Sequence, residues 1–186
     1  MILRSVIAID TSETRLRLAR HNAAIYGVED RIEFILGDYL SFAKAYLSLP
    51  EHVRTTIDVV FLSPPWGGID YTTSPVKKNA STSATVSEVD EEDEEEDSYS
   101  LSRIKPLHGT DLFNISRRIT PHIAYFLPKH TNLQDISALL PSGTRDAEPV
   151  KEEKIEVQEA WMGNKLKAVT CYFGGLVEGQ EAMFPI

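Results

Sequence analysis

One stretch restricts the fold of this chain more than any other: Val59-Val60-Phe61-Leu62, an unbroken apolar run, stops at Ser63-Pro64-Pro65-Trp66-Gly67-Gly68. Four consecutive apolar residues without polar alternation suit a strand covered on both faces, as in a parallel sheet. Such a strand releases the chain at the carboxyl edge of the sheet, where open α/β sheets bind their ligands. The two prolines fix φ, donate no backbone hydrogen bond and hold the residue before them extended, so the Ser63 hydroxyl and the Pro64 carbonyl point stiffly into the cleft. Both are acceptors suited to an exocyclic NH2 group. Trp66 supplies a ring to stack on the base carrying that amine, and Gly67 and Gly68 permit close backbone approach. The plain alternative is a strand followed by a Pro/Gly turn, with Trp66 an ordinary core or rim aromatic. The flanking segments decide between the two.

Short strands and helices alternate along the rest of the chain. Val6 to Ile9 predicts a buried strand closed by Asp10, with Thr11 or Ser12 capping a helix. Leu16, Ala19, Ala23 and Tyr26 share one face of that helix, and Gly27 ends it. Ile32 to Leu36 predicts a second strand ending in Gly37-Asp38, and Ser41 to Leu49 a helix stopped by Pro50. The strand Ile57 to Leu62 then leads into the proline turn. Past the turn, the expected elements are a helix from about Asp111 to Arg118, a strand from Ile123 to Leu127 and a helix from Asn132 to Leu140. Two late strands, about Lys154 to Ala160 and Lys167 to Phe173, flank Gly163-Asn164 as an antiparallel hairpin at the sheet edge. Alternating strands and helices followed by a hairpin describe an α/β, doubly wound sheet.

Charge marks one interruption. Positions 88–97 hold nine acids around a single valine, and setting those aside leaves 19 acidic against 19 basic residues. The remainder is neutral, so any contact with nucleic acid has to come from a local basic cluster. Residues 73–100 combine Ser, Thr, Ala and Lys with that acid run and carry few large apolar groups. Such a segment cannot bury enough surface to offset its ordering entropy, and it reads as a disordered acidic insertion between residues 1–72 and 101–186 of one domain. An acidic docking segment for a basic partner is the other reading. A lone cysteine, Cys171, excludes an internal disulfide framework and any Cys-based metal spacing, so no metal is expected and an intracellular, reducing compartment is. No apolar run approaches the roughly 18 residues that span a bilayer.

Asp10, Asp38 and the Ser63 turn fall at the ends of successive predicted strands. In an open parallel sheet those ends line one crevice, where an adenosine can set its ribose diol on Asp10 and its adenine amine by Asp38. Each aspartate alone is more often a turn or cap residue.

Six segments in this order resemble one family: Val-Ile-Ala-Ile-Asp at 6–10, Ala-Arg-His-Asn-Ala-Ala-Ile-Tyr-Gly-Val at 19–28, Ile-Glu-Phe-Ile-Leu-Gly-Asp at 32–38, Phe-Leu-Ser-Pro-Pro-Trp-Gly-Gly at 61–68, Tyr-Phe-Leu-Pro-Lys at 125–129 and Asn-Lys-Leu-Lys-Ala-Val-Thr-Cys-Tyr-Phe-Gly at 164–174. The chain is similar to the trimethylguanosine synthases, which have a Rossmann-like class I methyltransferase fold. The resemblance implies transfer of methyl groups from S-adenosyl-L-methionine to N2 of the 7-methylguanosine cap of small nuclear and nucleolar RNAs, in the nucleus, with the proteins of those ribonucleoproteins as further partners. It implies that Asp10 binds the cofactor ribose and that Asp38 lies by its adenine. It implies that Trp66 stacks on 7-methylguanine, that Ser63 and the Pro64 backbone hold the N2 amine, that Asn22 assists base recognition and that Lys129 meets the cap phosphates. Lys165 and Lys167, beside the hairpin turn, are weaker candidates for phosphate contact.

The chain departs from the family pattern at its start. Class I methyltransferases have a first strand ending in an acid and a Gly-rich turn against which the methionine part of the cofactor lies, and no Gly-x-Gly precedes Val6. The expected sheet therefore lacks its first strand and Gly-rich loop and exposes an apolar edge. Three accounts stand open: a truncated form of an active enzyme, a diverged relative that binds caps or proteins without catalysis, or completion by another chain.

Overall fold

The computed structural model describes residues 5–66, 98–140 and 153–177. They fall into two compact units, Met1–Thr56 and Ile57–Ile186.

The first unit is built from two parallel strands and the helices that follow them. Strand β1, Val6–Asp10, pairs with β2, Ile32–Leu36, from Val6 opposite Ile32 to Asp10 opposite Leu36. Parallel neighbours need a long crossover, and helix α1, Glu13–Ile25, supplies it. Ser12 caps α1 by accepting the Arg15 N–H, and Gly27 ends it in the left-handed region at φ 63°. Helix α2, Tyr39–Ser48, starts two residues earlier than the apolar pattern alone predicts, because the Asp38 side chain caps it.

The predicted buried face of α1 is covered only in part. Ala23 is buried and Leu16 half-buried, whereas Ala19 and Tyr26 are exposed, Tyr26 to 80%. Two strands at about 5 Å spacing form a narrow floor, and a 13-residue helix about 20 Å long overruns it.

In the second unit β3, Val60–Leu62, runs parallel to β4, Ile123–Pro128. The hairpin β5, Glu156–Met162, and β6, Lys165–Phe173, completes a four-stranded sheet in the order β3-β4-β6-β5. β6 pairs antiparallel with both β4 and β5, and Gly163 takes φ 58° in the hairpin turn that the sequence marks. Helices α3, Gly109–Arg117, and α4, Leu133–Ser137, flank β4 in sequence. The latter is shorter than the predicted Asn132 to Leu140: Asn132 is its cap, and the residues after Ala138 continue as turns.

β4 is paired on both sides and forms the centre of the core. Ile123, Tyr125 and Leu127 are fully buried, with Phe113 of α3 stacked on Tyr125 at 6.4 Å and tilted on Phe173 at 4.6 Å. The Tyr125 hydroxyl donates to the carbonyl of Gly109 at 3.2 Å.

Two expectations are corrected here. The strand before the proline turn is three residues long, not the six of Ile57 to Leu62: its ladder with β4 begins at Val60 opposite Ile123, and one rung earlier the Thr120 side chain takes the place of a backbone bond, its hydroxyl donating to the Asp58 carbonyl and its oxygen accepting the His122 N–H. It is also covered on one face only: Val60 and Leu62 point to the buried face, whereas Phe61, on the opposite face, is 63% exposed. Among the described residues the six strands form a two-stranded and a four-stranded sheet, and no described segment pairs with the free edge of β1 or of β3. The chain is α/β with parallel and antiparallel strands. Nearly all of the expected insertion at 73–100 lies outside the described residues, but its last residues do not: Tyr99 is buried and bridges Thr131.

Candidate functional site

Parallel pairing brings Asp10 and Asp38 to the same carboxyl edge of the first unit. Asp10 ends β1, and its carbonyl accepts the N–H of Gly37, the residue between β2 and Asp38. Each carboxylate is turned back onto its own chain. Oδ1 of Asp10 accepts the Ser12 N–H at 2.7 Å, and Oδ2 lies 3.7 Å from the Arg15 guanidinium. Oδ2 of Asp38 accepts both the N–H and the hydroxyl of Ser41, at 2.9 and 3.0 Å. The Ser41 backbone bond, first among several causes, holds Asp38 below its ordinary value of 3.8. Asp38 is therefore an anion at neutral pH and caps α2, while Asp10 holds the N–H of Ser12, the residue that caps α1, in the local turn that short acidic side chains favour. Asn22 is exposed near the end of α1, and its side chain makes no hydrogen bond among the described residues.

In the second unit the parallel pair β3 and β4 likewise delivers two segments to one edge. Beyond Leu62, Ser63 is exposed, Pro64 half-buried, Pro65 exposed and Trp66 half-buried. The Trp66 indole N–H donates to the Phe126 carbonyl at 3.3 Å, and its ring leans on that of Phe126 at 5.0 Å and 41°. Phe126 in turn stacks with Phe61 at 6.3 Å. At the end of β4, Pro128 passes the chain to Lys129, which is half-buried in a turn closed by Thr131, whose hydroxyl and N–H both donate to the Pro128 carbonyl. Ser63, Pro64, Trp66 and Lys129 thus leave the same ends of adjacent parallel strands.

Two residues of this edge escaped sequence reasoning. Phe126 was legible only as part of a strand, yet its carbonyl and its ring both receive Trp66. Composition places Tyr99 at the end of the insertion, yet its hydroxyl donates to the Trp66 carbonyl at 3.2 Å. The signal for Tyr99 was present: large apolar side chains resume at Tyr99, Leu101 and Ile104 directly after the acid run, and all three are buried. Chemically, the edge offers an aromatic ring in a fixed frame, acceptors at Ser63 and Pro64 beside it, and one lysine.

Comparison with known proteins agrees with these motifs. The sequence pattern of the RNA cap guanine-N2 methyltransferase family matches residues 1–79 and 91–176. The trimethylguanosine synthase of Schizosaccharomyces pombe is 30% identical over 175 residues, which is 90% of this chain and 56% of the yeast protein. The trimethylguanosine synthase of Saccharomyces cerevisiae is 27% identical over 133 residues, 71% of this chain and 34% of that protein. The chain thus spans about half or less of the length of these curated relatives. Among the described residues no helix is long and apolar enough to cross a membrane. With the Ser-Pro-Pro-Trp edge and the matched pattern covering most of its length, the chain belongs to the RNA cap guanine-N2 methyltransferase family.

Proposed function

We propose that this chain serves the methylation of the guanine N2 amine of 7-methylguanosine RNA caps, toward the 2,2,7-trimethylguanosine caps of small nuclear and nucleolar RNAs, in the nucleus. The observation that carries the reading is the end of β3, where an indole held by the Phe126 carbonyl stands three residues past a serine and beside a rigid Pro-Pro carbonyl. Trp66 stacks on the base. Methylation at N7 makes guanine cationic, so an electron-rich indole favours it over plain guanine by about 1 kcal/mol or more where water is excluded. The Ser63 hydroxyl and Pro64 carbonyl accept from the N2 amine and turn its lone pair toward the incoming methyl group. Asn22 adds a polar contact to the base, and Lys129 meets the cap phosphates. No dedicated general base is required, because the nitrogen becomes acidic as it is alkylated.

The methyl donor implied by the family is S-adenosyl-L-methionine, which when bound supplies an electrophilic methyl group. The donor set at the carboxyl edge of β1 and β2 fits its adenosine: Asp10 is an acceptor pair for a ribose diol, and Asp38, an anion at neutral pH, is an acceptor for an adenine amine.

One observation favours a second reading, a cap-binding relative without catalysis. The two aspartate carboxylates are each engaged by their own chain, Asp10 by the Ser12 N–H and Asp38 as the cap of α2, while among the described residues the Ser63 side chain has no such hydrogen bond to explain it. Transfer of labelled methyl from S-adenosylmethionine to RNA with 7-methylguanosine or unmethylated caps decides between them. The first reading expects label on the 7-methylguanosine cap alone. Specific binding of that cap with no cofactor affinity supports the second, and neither transfer nor cap binding refutes both.

A further inference from the structure

Gly67 and Gly68 follow Trp66 directly. Glycines impose little on the chain that precedes them, so the prolines stiffen the approach to Trp66 but nothing in the local sequence fixes the peptide plane after it. The tertiary structure supplies that constraint. The carbonyl of Trp66 accepts a hydrogen bond from the Tyr99 hydroxyl at 3.2 Å, across 33 positions of sequence. Tyr99 is 2% exposed and is itself fastened to the turn that follows β4: its N–H donates to the His130 carbonyl at 2.6 Å, its carbonyl accepts the Asn132 N–H at 2.9 Å, and it forms a parallel bridge with Thr131. The indole N–H of Trp66 is meanwhile held by Phe126 of β4. Main chain and side chain of Trp66 are therefore tied separately to the same strand and its outgoing turn. Burial raises the Tyr99 phenol above its ordinary value of 10.0, so it remains a neutral O–H donor across the physiological range.

We propose that Tyr99 is a positioning residue, whose hydroxyl holds the Trp66 main chain so that the indole is presented to a 7-methylated guanine. The proposal rests on Trp66 being the base-stacking residue. Tyr99 touches no substrate in this scheme and acts only through Trp66.

The test uses the full chain with Trp161→Phe, which leaves Trp66 as the single tryptophan. Tyr99→Phe is introduced in that background, and 7-methylguanosine triphosphate and GTP are the ligands. Loss of one hydrogen bond predicts a fall in 7-methylguanosine triphosphate affinity of roughly three- to tenfold, a smaller fall for GTP, and greater quenching of Trp66 fluorescence by acrylamide in the ligand-free protein. Replacing Tyr99 by 4-aminophenylalanine, which restores a donor at the ring tip, recovers the difference between the two ligands. Equal losses for both ligands, unchanged quenching, or a Tyr99→Phe chain that does not fold assigns Tyr99 a purely structural role and overturns the proposal. A parallel Trp66→Ala measurement in the otherwise unaltered chain separates the two levels. If it abolishes the preference for the methylated ligand while Tyr99→Phe leaves it intact, only the positioning role falls; if the preference survives Trp66→Ala, the stacking reading falls and Tyr99's role with it.

Discussion

Trp66→Ala tests the site most directly, because the structure lets its stability cost and its binding cost be estimated separately. Within the folded chain the substitution removes the N–H bond to the Phe126 carbonyl. At 3.3 Å and half-exposed, this bond lies toward the weak end of the ~0.5–1.5 kcal/mol usual for a net hydrogen bond. The ring contact with Phe126 at 5.0 Å adds about 0.5–1.5 kcal/mol. These two contributions, about 1–2 kcal/mol, come on top of the apolar area the half-buried ring loses, so the melting temperature should fall by at least roughly 3–8 °C for a chain of this size, and the assay is run below the melt of the variant. Base stacking on an aromatic ring contributes about 1–3 kcal/mol, which predicts a loss of roughly five- to 150-fold in affinity for 7-methylguanosine triphosphate. GTP lacks the cationic base and loses less, so the ratio of the two affinities narrows. Isothermal titration of both nucleotides and of S-adenosylmethionine, beside a thermal melt by circular dichroism, reads all of these together. Cofactor affinity is expected to change less than twofold, as an order-of-magnitude bound set by additivity of separate sites. A folded variant that still prefers the methylated nucleotide by the wild-type ratio refutes the stacking assignment.

Four further outcomes are expected. Asp10→Asn keeps an acceptor for the Ser12 N–H and should leave the melting temperature within a few degrees, yet weaken S-adenosylmethionine binding about tenfold by removing the charge opposite the ribose diol, as equilibrium dialysis will show. Asp38 has a folded pKa below its ordinary 3.8, so its carboxylate stabilises the protein above that value and the contribution disappears as pH falls through the lower, folded one. Asp38→Asn keeps the cap without the charge, and urea titrations should show wild type ahead by about a few tenths of a kcal/mol at pH 7, the lead vanishing as pH falls through the folded value below 3.8, with the exposure of the site keeping the difference small. Gly109→Ala sets a methyl group 2.8 Å from Ile104 Cδ1, 2.9 Å from the Tyr125 hydroxyl and 3.0 Å from Leu101 Cβ, all in the buried core. A destabilisation of about 1–3 kcal/mol in urea unfolding is expected despite alanine's better helix propensity, and a stabilised variant contradicts this packing. Replacing residues 73–97 by a flexible linker of about eight residues should leave cap affinity unchanged and stabilise the chain by less than about 1 kcal/mol, because the Trp66 and Tyr99 ends are already joined; lost cap affinity shows instead that the acidic run takes part.

Local chemistry wrote much of this protein in plain view. Val6–Asp10, Ile32–Leu36 and the hairpin around Gly163-Asn164 were legible because each is bounded by residues that end strands for backbone reasons: a capping acid, a glycine, a positive φ. The candidate residues at strand ends, Asp10, Asp38, Ser63 and Trp66, were legible for the same reason, since punctuation and position coincide at the carboxyl edge of a parallel pair. The six motifs in order carried the family.

Other features depended on partners far away in sequence. Ile57 and Val59 extend the apolar pattern of a strand, but they do not pair because the Thr120 side chain, 62 positions from Asp58, takes both the Asp58 carbonyl and the His122 N–H. Phe61 looks like core by composition, but it points to the face of β3 opposite the buried Val60 and Leu62 and is exposed there. Tyr99 looked like the tail of an acidic linker and is among the most buried side chains of its unit, because the turn after β4 accepts and donates on both sides of it. Sequence determined which residue types stand at the edge of the sheet, since that follows from where strands must stop. Only the tertiary structure decided how Trp66 is held there, because the groups that hold it, the Phe126 carbonyl and the Tyr99 hydroxyl, lie 60 and 33 positions away and meet it through strand pairing that no local pattern encodes.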